Sequence, residues 1–152
     1  MNVTIICLGS LKEDYLKTAQ EDLLGSILKK NEITACQVVE LKDEPVPENA
    51  SPAQMKQILK LEGSKIQAKL PANSRIICLD IHGKKVDSVF FKGLIKGMKQ
   101  NGENDLVFVI GGSLGISDDI KERSRQRISF ASLTFPHQLF RIALLDALAL
   151  YL

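Results

Sequence analysis

Short apolar blocks and longer blocks of mixed character alternate along the whole chain. Residues 3–8, 33–41, 75–81, 106–110 and 128–133 are apolar runs of strand length, most of them rich in β-branched residues. Between them the period changes to that of a helix. In residues 11–30, Leu16, Ala19, Leu23 and Ile27 recur along one face, with Leu24 and Leu28 beside them. Residues 51–70 open with Ser51-Pro52-Ala53-Gln54: a serine N-cap, a proline at the first helical position and a glutamine able to close a capping box. Met55, Ile58, Leu59, Ile66 and Leu70 form the expected buried face of that helix, and Pro71-Ala72-Asn73 stops it. Asp87-Ser88 opens another, in which Phe90, Leu94 and Met98 repeat at four-residue spacing with Phe91 and Ile95 alongside. Five strands alternating with five helices predict an α/β fold in one domain over residues 1–152, with a parallel or mixed sheet of five to six strands flanked by helices.

The strand at 106–110 stands out. An uninterrupted apolar run reads as a strand covered on both faces, and it leads directly into Gly111-Gly112, with Gly115 following. Glycines at the carboxyl end of such a strand permit a sharp turn and a close backbone approach to a ligand, and this is the end at which open α/β sheets bind ligands. Ser117-Asp118-Asp119 offers N-caps for a helix over 117–127, a polar segment whose Lys121, Arg123, Arg125 and Arg127 either meet phosphates or form a solvated face. Taken alone, GGxxG fits a ligand turn and an ordinary strand-to-helix turn equally well. Neither a GxGxxG fingerprint nor a GxxxxGK[ST] loop is present.

From Leu139 onward only Arg141 and Asp146 interrupt apolar residues, with Pro136 placed for the first turn of the helix. A terminal helix apolar nearly all round needs cover on nearly every side, which predicts a homodimer packed through it. The stretch falls short of the roughly 18 apolar residues of a membrane span. Residues 42–50, with Pro45 and Pro47, are the candidate mobile loop. A net charge of +2 allows an RNA partner without announcing one. Cys7, Cys36 and Cys78 each lie in an apolar run with no C-x-x-C pair, as buried free thiols of a reducing compartment do. No basic segment precedes a long apolar one at the amino terminus, so a cytoplasmic protein without a signal peptide and without a metal is expected.

Three segments are more specific together than any alone: CLDIHGK (78–84), FVIGGSLGIS (108–117) and ISFASLTFPHQLFRIALLDAL (128–148). In this order and spacing the chain resembles the RlmH (YbeA-like) family over about residues 1–148. The amino-terminal half agrees, with a strand ending Gly-Ser-Leu-Lys-Glu, then 43–47 with Glu48-Asn49, then Glu62-Gly63. The resemblance implies a SPOUT-type fold whose carboxyl-terminal part forms a trefoil knot, working as a homodimer. It implies an S-adenosylmethionine-dependent methyltransferase that modifies N3 of a pseudouridine in 23S ribosomal RNA, on the large subunit or the assembled ribosome. By the same resemblance, Leu79, Gly111, Phe130, Ala131, Ser132, Leu133, Thr134 and Phe135 line the cofactor pocket. Leu79, Leu133 and Phe135 would touch adenine, while Gly111 and the backbone of Ala131 to Thr134 would bond its edge and the ribose. Without the resemblance, residues 130–135 read as a core strand and a helix start.

The acceptor nitrogen must lose a proton, so a base or a group stabilising the anion is sought. His137 and Arg141 are the weak candidates for a catalytic residue. His137 follows a helix-opening proline and can simply cap or pack, and Arg141 can equally bind phosphate or pair with Asp146 of a partner helix. Family members usually continue past the last helix to Arg-Gly-Glu-Xaa-Tyr-His and a basic residue, whereas this sequence stops at Ala149-Leu150-Tyr151-Leu152. The alternative expectation is therefore a catalytically impaired or non-catalytic relative that binds S-adenosylmethionine or RNA. A third reading, a flavodoxin-like nucleotide-binding domain, would need phosphate-binding glycines after strand one, for which Gly9-Ser10 is a poor substitute.

Overall fold

The Leu106–Ile110 run becomes the middle of the sheet because every one of its residues is buried, which no edge strand permits. In the computed structural model, which describes residues 1–152, the strands are β1 (Asn2–Leu8), β2 (Ala35–Leu41), β3 (Arg75–Lys85), β4 (Asp105–Ile110) and β5 (Gln126–Ser129). They form one sheet in the order β2-β1-β4-β3-β5, and every pairing is parallel. The helices are α1 (Asp14–Leu28), α2 (Pro52–Gln67), α3 (Ser88–Gln100), α4 (Asp118–Arg123) and α5 (His137–Tyr151).

Alternation along the strands divides the core in two. Val3, Ile5 and Cys7 of β1 and Leu106, Phe108 and Ile110 of β4 pack with α1, α3 and α5. Ile6 and Leu8 of β1 and Val107 and Val109 of β4 pack with α2 and α4. Crossovers toward β2 therefore use the first face and those toward β5 the second, as connections of one hand require. The connection leaving β4 thus goes to the opposite face from those leaving its neighbours β1 and β3, and a crevice opens at their carboxyl ends.

Local chemistry explains several helix starts. Ser51 and Gln54 form the expected capping box, Gln54 N donating to Ser51 Oγ at 3.2 Å and Ser51 N to Gln54 Oε1 at 2.8 Å. Asp87 caps α3 by accepting from Phe90 N at 2.7 Å. On α3 the column that enters the core is Phe91, Ile95 and Met98, whereas Phe90 and Leu94 are half-buried.

Four expectations need correction. The helix after the glycine turn ends at Arg123, so Arg127 lies in β5 instead. Strand β5 runs over Gln126–Ser129 and not to residue 133, because its partner β3 turns away beyond Lys85 and the Ser129 hydroxyl bonds Ala131 O at 2.9 Å. Residues 42–44 of the proline loop are tethered to α2: Glu44 N donates to Glu62 Oε2 at 3.1 Å, and Lys65 Nζ reaches Lys42 O and Glu44 Oε1. Finally, α5 finds much of its cover within the chain, burying Leu144, Leu145 and Leu148 against the sheet, α1 and α3. What remains uncovered is one stripe, Leu139, Ala143, Asp146 and Leu150. No helix is long and apolar enough to cross a membrane.

Candidate active site

The carboxyl ends of β3 and β4, with the segment after β5, enclose a cleft of 380 Å³. Each wall follows from a local irregularity. Strand β3 pairs with Ile128 twice, through Leu79 and again through Lys84, so residues 80–83 bulge out of the ladder toward the cleft. Gly83 allows this, since a Cβ there would overlap the backbone of Arg127 and Ile128.

The second wall is the turn after β4. Gly115 adopts φ +86° and its N–H donates to Gly112 O at 3.0 Å. A Cβ on Gly111 would overlap the Gly115 carbonyl, so that glycine is required by the turn itself before any ligand is considered. Ile116 and Ile120 then anchor the turn in the second core. Behind it stand two residues of α2. Glu62, buried, approaches Gly112, and Gly63 leaves room for Ser117. Burial pushes the Glu62 carboxyl above its ordinary pKa, partly opposed by the Glu44 N–H bond.

The third wall is residues 131–137. Leu133 is 68% exposed and Phe135 41%, so two large apolar side chains stand on the rim with nothing over them. Of the expected pocket residues, Leu79, Gly111, Ala131, Leu133, Thr134 and Phe135 line the cleft. Phe130 does not. It packs into the core between Phe91, edge-on at 5.5 Å, and Phe140, stacked at 5.4 Å. Ser132 is exposed and also outside the lining.

The two catalytic candidates part company. His137, at the start of α5, lines the cleft and is exposed. Arg141 is 2% exposed and is turned inward. Its Nη1 donates to Glu40 Oε1 at 3.1 Å and Gln20 Oε1 at 3.2 Å, and its Nη2 to Gly9 O at 3.0 Å. That guanidinium ties α5 to α1, β2 and the end of β1, and is offered neither to a phosphate nor to Asp146 of another copy.

Sequence reasoning assigned no role to Asp80 or His82 and gave Lys121 only a phosphate contact or a place on a solvated face, yet all three line the cleft. Asp80 Oδ1 accepts from His82 N at 3.0 Å, and Lys121 Nζ lies 3.4 Å from Asp80 Oδ2. The available signal was position: a charged residue directly after the last buried residue of a strand already credited with a ligand end.

Residues 1–149 match the family described as "Predicted SPOUT methyltransferase". The chain belongs to that family. Among proteins similar to it, the "Ribosomal RNA large subunit methyltransferase H" of Leuconostoc mesenteroides is 43% identical over 146 residues, 96% of this chain and 90% of that one. Proteins of the same description from Clostridium tetani and Carboxydothermus hydrogenoformans are 40% and 39% identical over the same shares. The chain is thus a methyltransferase of the SPOUT class, with a parallel α/β sheet. Its family match runs from β1 to α5 and so takes in all three walls of the cleft.

Proposed function

We propose that this SPOUT methyltransferase transfers a methyl group from S-adenosylmethionine to large-subunit ribosomal RNA, at N3 of a pseudouridine, acting in the cytoplasm as a homodimer of single-domain subunits with the carboxyl-terminal segment threaded as a trefoil knot. The observation that carries the reading is the convergence of three chain-distant segments, 79–82, 110–116 and 131–137, on one cleft at the carboxyl ends of parallel strands. Relatives covering nearly the whole chain are named ribosomal RNA large subunit methyltransferases.

The lining fits the cofactor. Leu133 and Phe135 supply uncovered apolar surface for a flat base, and Leu79 closes the floor. Gly111 and the backbone of Ala131 to Thr134 supply hydrogen-bonding groups for the edge of the base and the sugar. Phe130 contributes from behind by holding this segment against Phe91 and Phe140. Asp80 Oδ2 is a buried carboxylate oxygen with no hydrogen-bond partner.

The cofactor brings an activated methyl group on a sulfonium, so the chain's own task is to bind, orient and exclude water. In this reading His137, exposed on the cleft wall, is the remaining candidate to accept the proton that the acceptor nitrogen loses. Partner contact falls to the uncovered stripe Leu139, Ala143 and Leu150 of α5.

Calorimetry with S-adenosylmethionine tests the pocket, with Leu133→Asp as control variant. That side chain is exposed, so an aspartate there alters the cleft without opening the core. Wild-type binding lost in the variant is expected, followed by labelled-methyl transfer to ribosomes lacking the modification. No binding by the folded wild type sinks the reading, and binding without transfer identifies a silent relative.

A further inference from the structure

Asp80 occupies an unusual position for a carboxylate. Its side chain is 7% exposed, yet it lies at the cleft and not in a salt-bridge network. Oδ1 is used within the bulge, accepting from His82 N at 3.0 Å. Oδ2 has Lys121 Nζ at 3.4 Å as its charge partner and makes no hydrogen bond. A buried carboxylate oxygen left without a donor is costly, and such groups in native structures call for an explanation. Lys121 lines the same cleft, so the pair stands together where the chain meets its ligand.

We infer that Asp80 is a cofactor-specificity residue, its free oxygen accepting a hydrogen bond from the ribose hydroxyls of the adenosyl group, with the Lys121 ammonium beside it as charge partner. The inference rests on the adenosyl cofactor proposed above. Leu79, the proposed adenine contact, is the preceding residue, and the sugar is the part of the ligand bonded directly to the base. A carboxylate one residue beyond an adenine contact therefore meets the sugar first. Carboxylates at strand carboxyl ends recognise ribose hydroxyls in other nucleotide-binding sheets by the same chemistry. The cofactor's own ammonium is the competing donor. Charge decides against it, because a second cation on Asp80 would crowd the Lys121 ammonium already 3.4 Å away, whereas a neutral hydroxyl would not.

The test is calorimetry with three ligands: S-adenosylhomocysteine, its 2′,3′-dideoxy analogue, and 5′-methylthioadenosine, which keeps the sugar but lacks the amino-acid tail. Wild-type protein is expected to bind the dideoxy analogue about tenfold or more weakly than S-adenosylhomocysteine, the loss of a hydrogen bond to a charged group. Asp80→Asn keeps an oxygen for His82 N and places an amide donor at the other position. It should weaken S-adenosylhomocysteine and methylthioadenosine by a similar factor and leave the dideoxy analogue unchanged. Weakening of S-adenosylhomocysteine without weakening of methylthioadenosine would assign Asp80 to the amino-acid tail and overturn the inference. Equal weakening of the hydroxylated and dideoxy ligands would overturn it too, since Asp80 would then act only through the fold. Equal affinity of wild-type protein for those two ligands overturns it with no substitution involved. If the folded wild type binds none of the three, the cofactor reading itself fails and the inference falls with it.

Discussion

The carboxylate of Glu62 lies against Gly112, its oxygens 3.4 and 3.7 Å from the point a Cβ on that glycine would occupy. Its neighbour Gly63 makes the same kind of contact with Ser117, so α2 braces the turn of residues 111–117 at both ends. The Glu44 N–H bond to Glu62 extends the brace to the proline loop.

Glu62 makes stability depend on pH in a definite direction. Burial raises its folded-state pKa, with Asp43 and Glu44 adding to the rise and Lys65 opposing it. A group raised in this way contributes its full stability below its unfolded pKa and loses it as pH climbs through the folded value. Glu62→Gln, which keeps an acceptor for Glu44 N, should therefore gain on the wild type in melting temperature between pH 4 and 8. A parallel pair of melting curves across that range would show the sign to be wrong. Gly63→Ala places a methyl group into Ser117 and should cost about 1–3 kcal/mol in urea unfolding.

Arg141→Ala separates structural from catalytic roles. Removing a buried guanidinium that holds Glu40, Gln20 and Gly9 O should destabilise the fold by roughly 3 kcal/mol, and the affinity of the folded protein for S-adenosylhomocysteine should be unchanged. A large affinity loss in a variant with wild-type stability would return Arg141 to the site.

Gly111→Val is expected to behave differently from Leu133→Asp. The first forces a side chain into the Gly115 carbonyl and should lower both melting temperature and binding. The second should lower binding alone. Differential scanning calorimetry beside the titrations distinguishes them.

Leu150 is 65% exposed on the open stripe of α5, so Leu150→Glu costs a lone subunit little. In a dimer built on that stripe it buries one added charge from each subunit. Sedimentation should show wild-type dimers and variant monomers, and a monomeric wild type would remove the dimer from the proposal.

The three thiols should be inert. Burial pushes Cys7, Cys36 and Cys78 each up to about 11, with Arg141 pulling Cys7 slightly back. At pH 8 that leaves about one thiolate in a thousand, so alkylation should wait for unfolding and then count three.

What was readable in advance follows from how local each cause is. The β4 run, the Ser51–Gln54 box and the Asp87 cap act within a few residues, and each element formed where its pattern put it. The end of β5 depends on where β3, more than forty residues earlier, turns away, and no window around 128–133 contains that. Arg141 looked like a surface cation breaking an apolar helix because its three partners, Gly9, Gln20 and Glu40, are a hundred residues or more distant. Asp80 was likewise unremarkable until β3 and α4 stood side by side and brought Lys121 to it. The glycine turn was visible as a motif, but its need for glycine at 111 came from Gly115 and not from a ligand.

The Arg141 clasp also sets an order of events for the newborn chain. It joins the last helix to the end of the first strand, and the wall at 131–137 hangs on that helix. While β1 to β4 emerge and pair, the seat of Arg141 stays empty and the cleft has two walls. Only when α5 arrives and docks does the third wall take its place. Such a long-separated closure is slow compared with local pairing. The chain should therefore pass through an interval in which it is folded enough to resist proteolysis yet blind to its cofactor, and the docking of α5 ends that interval.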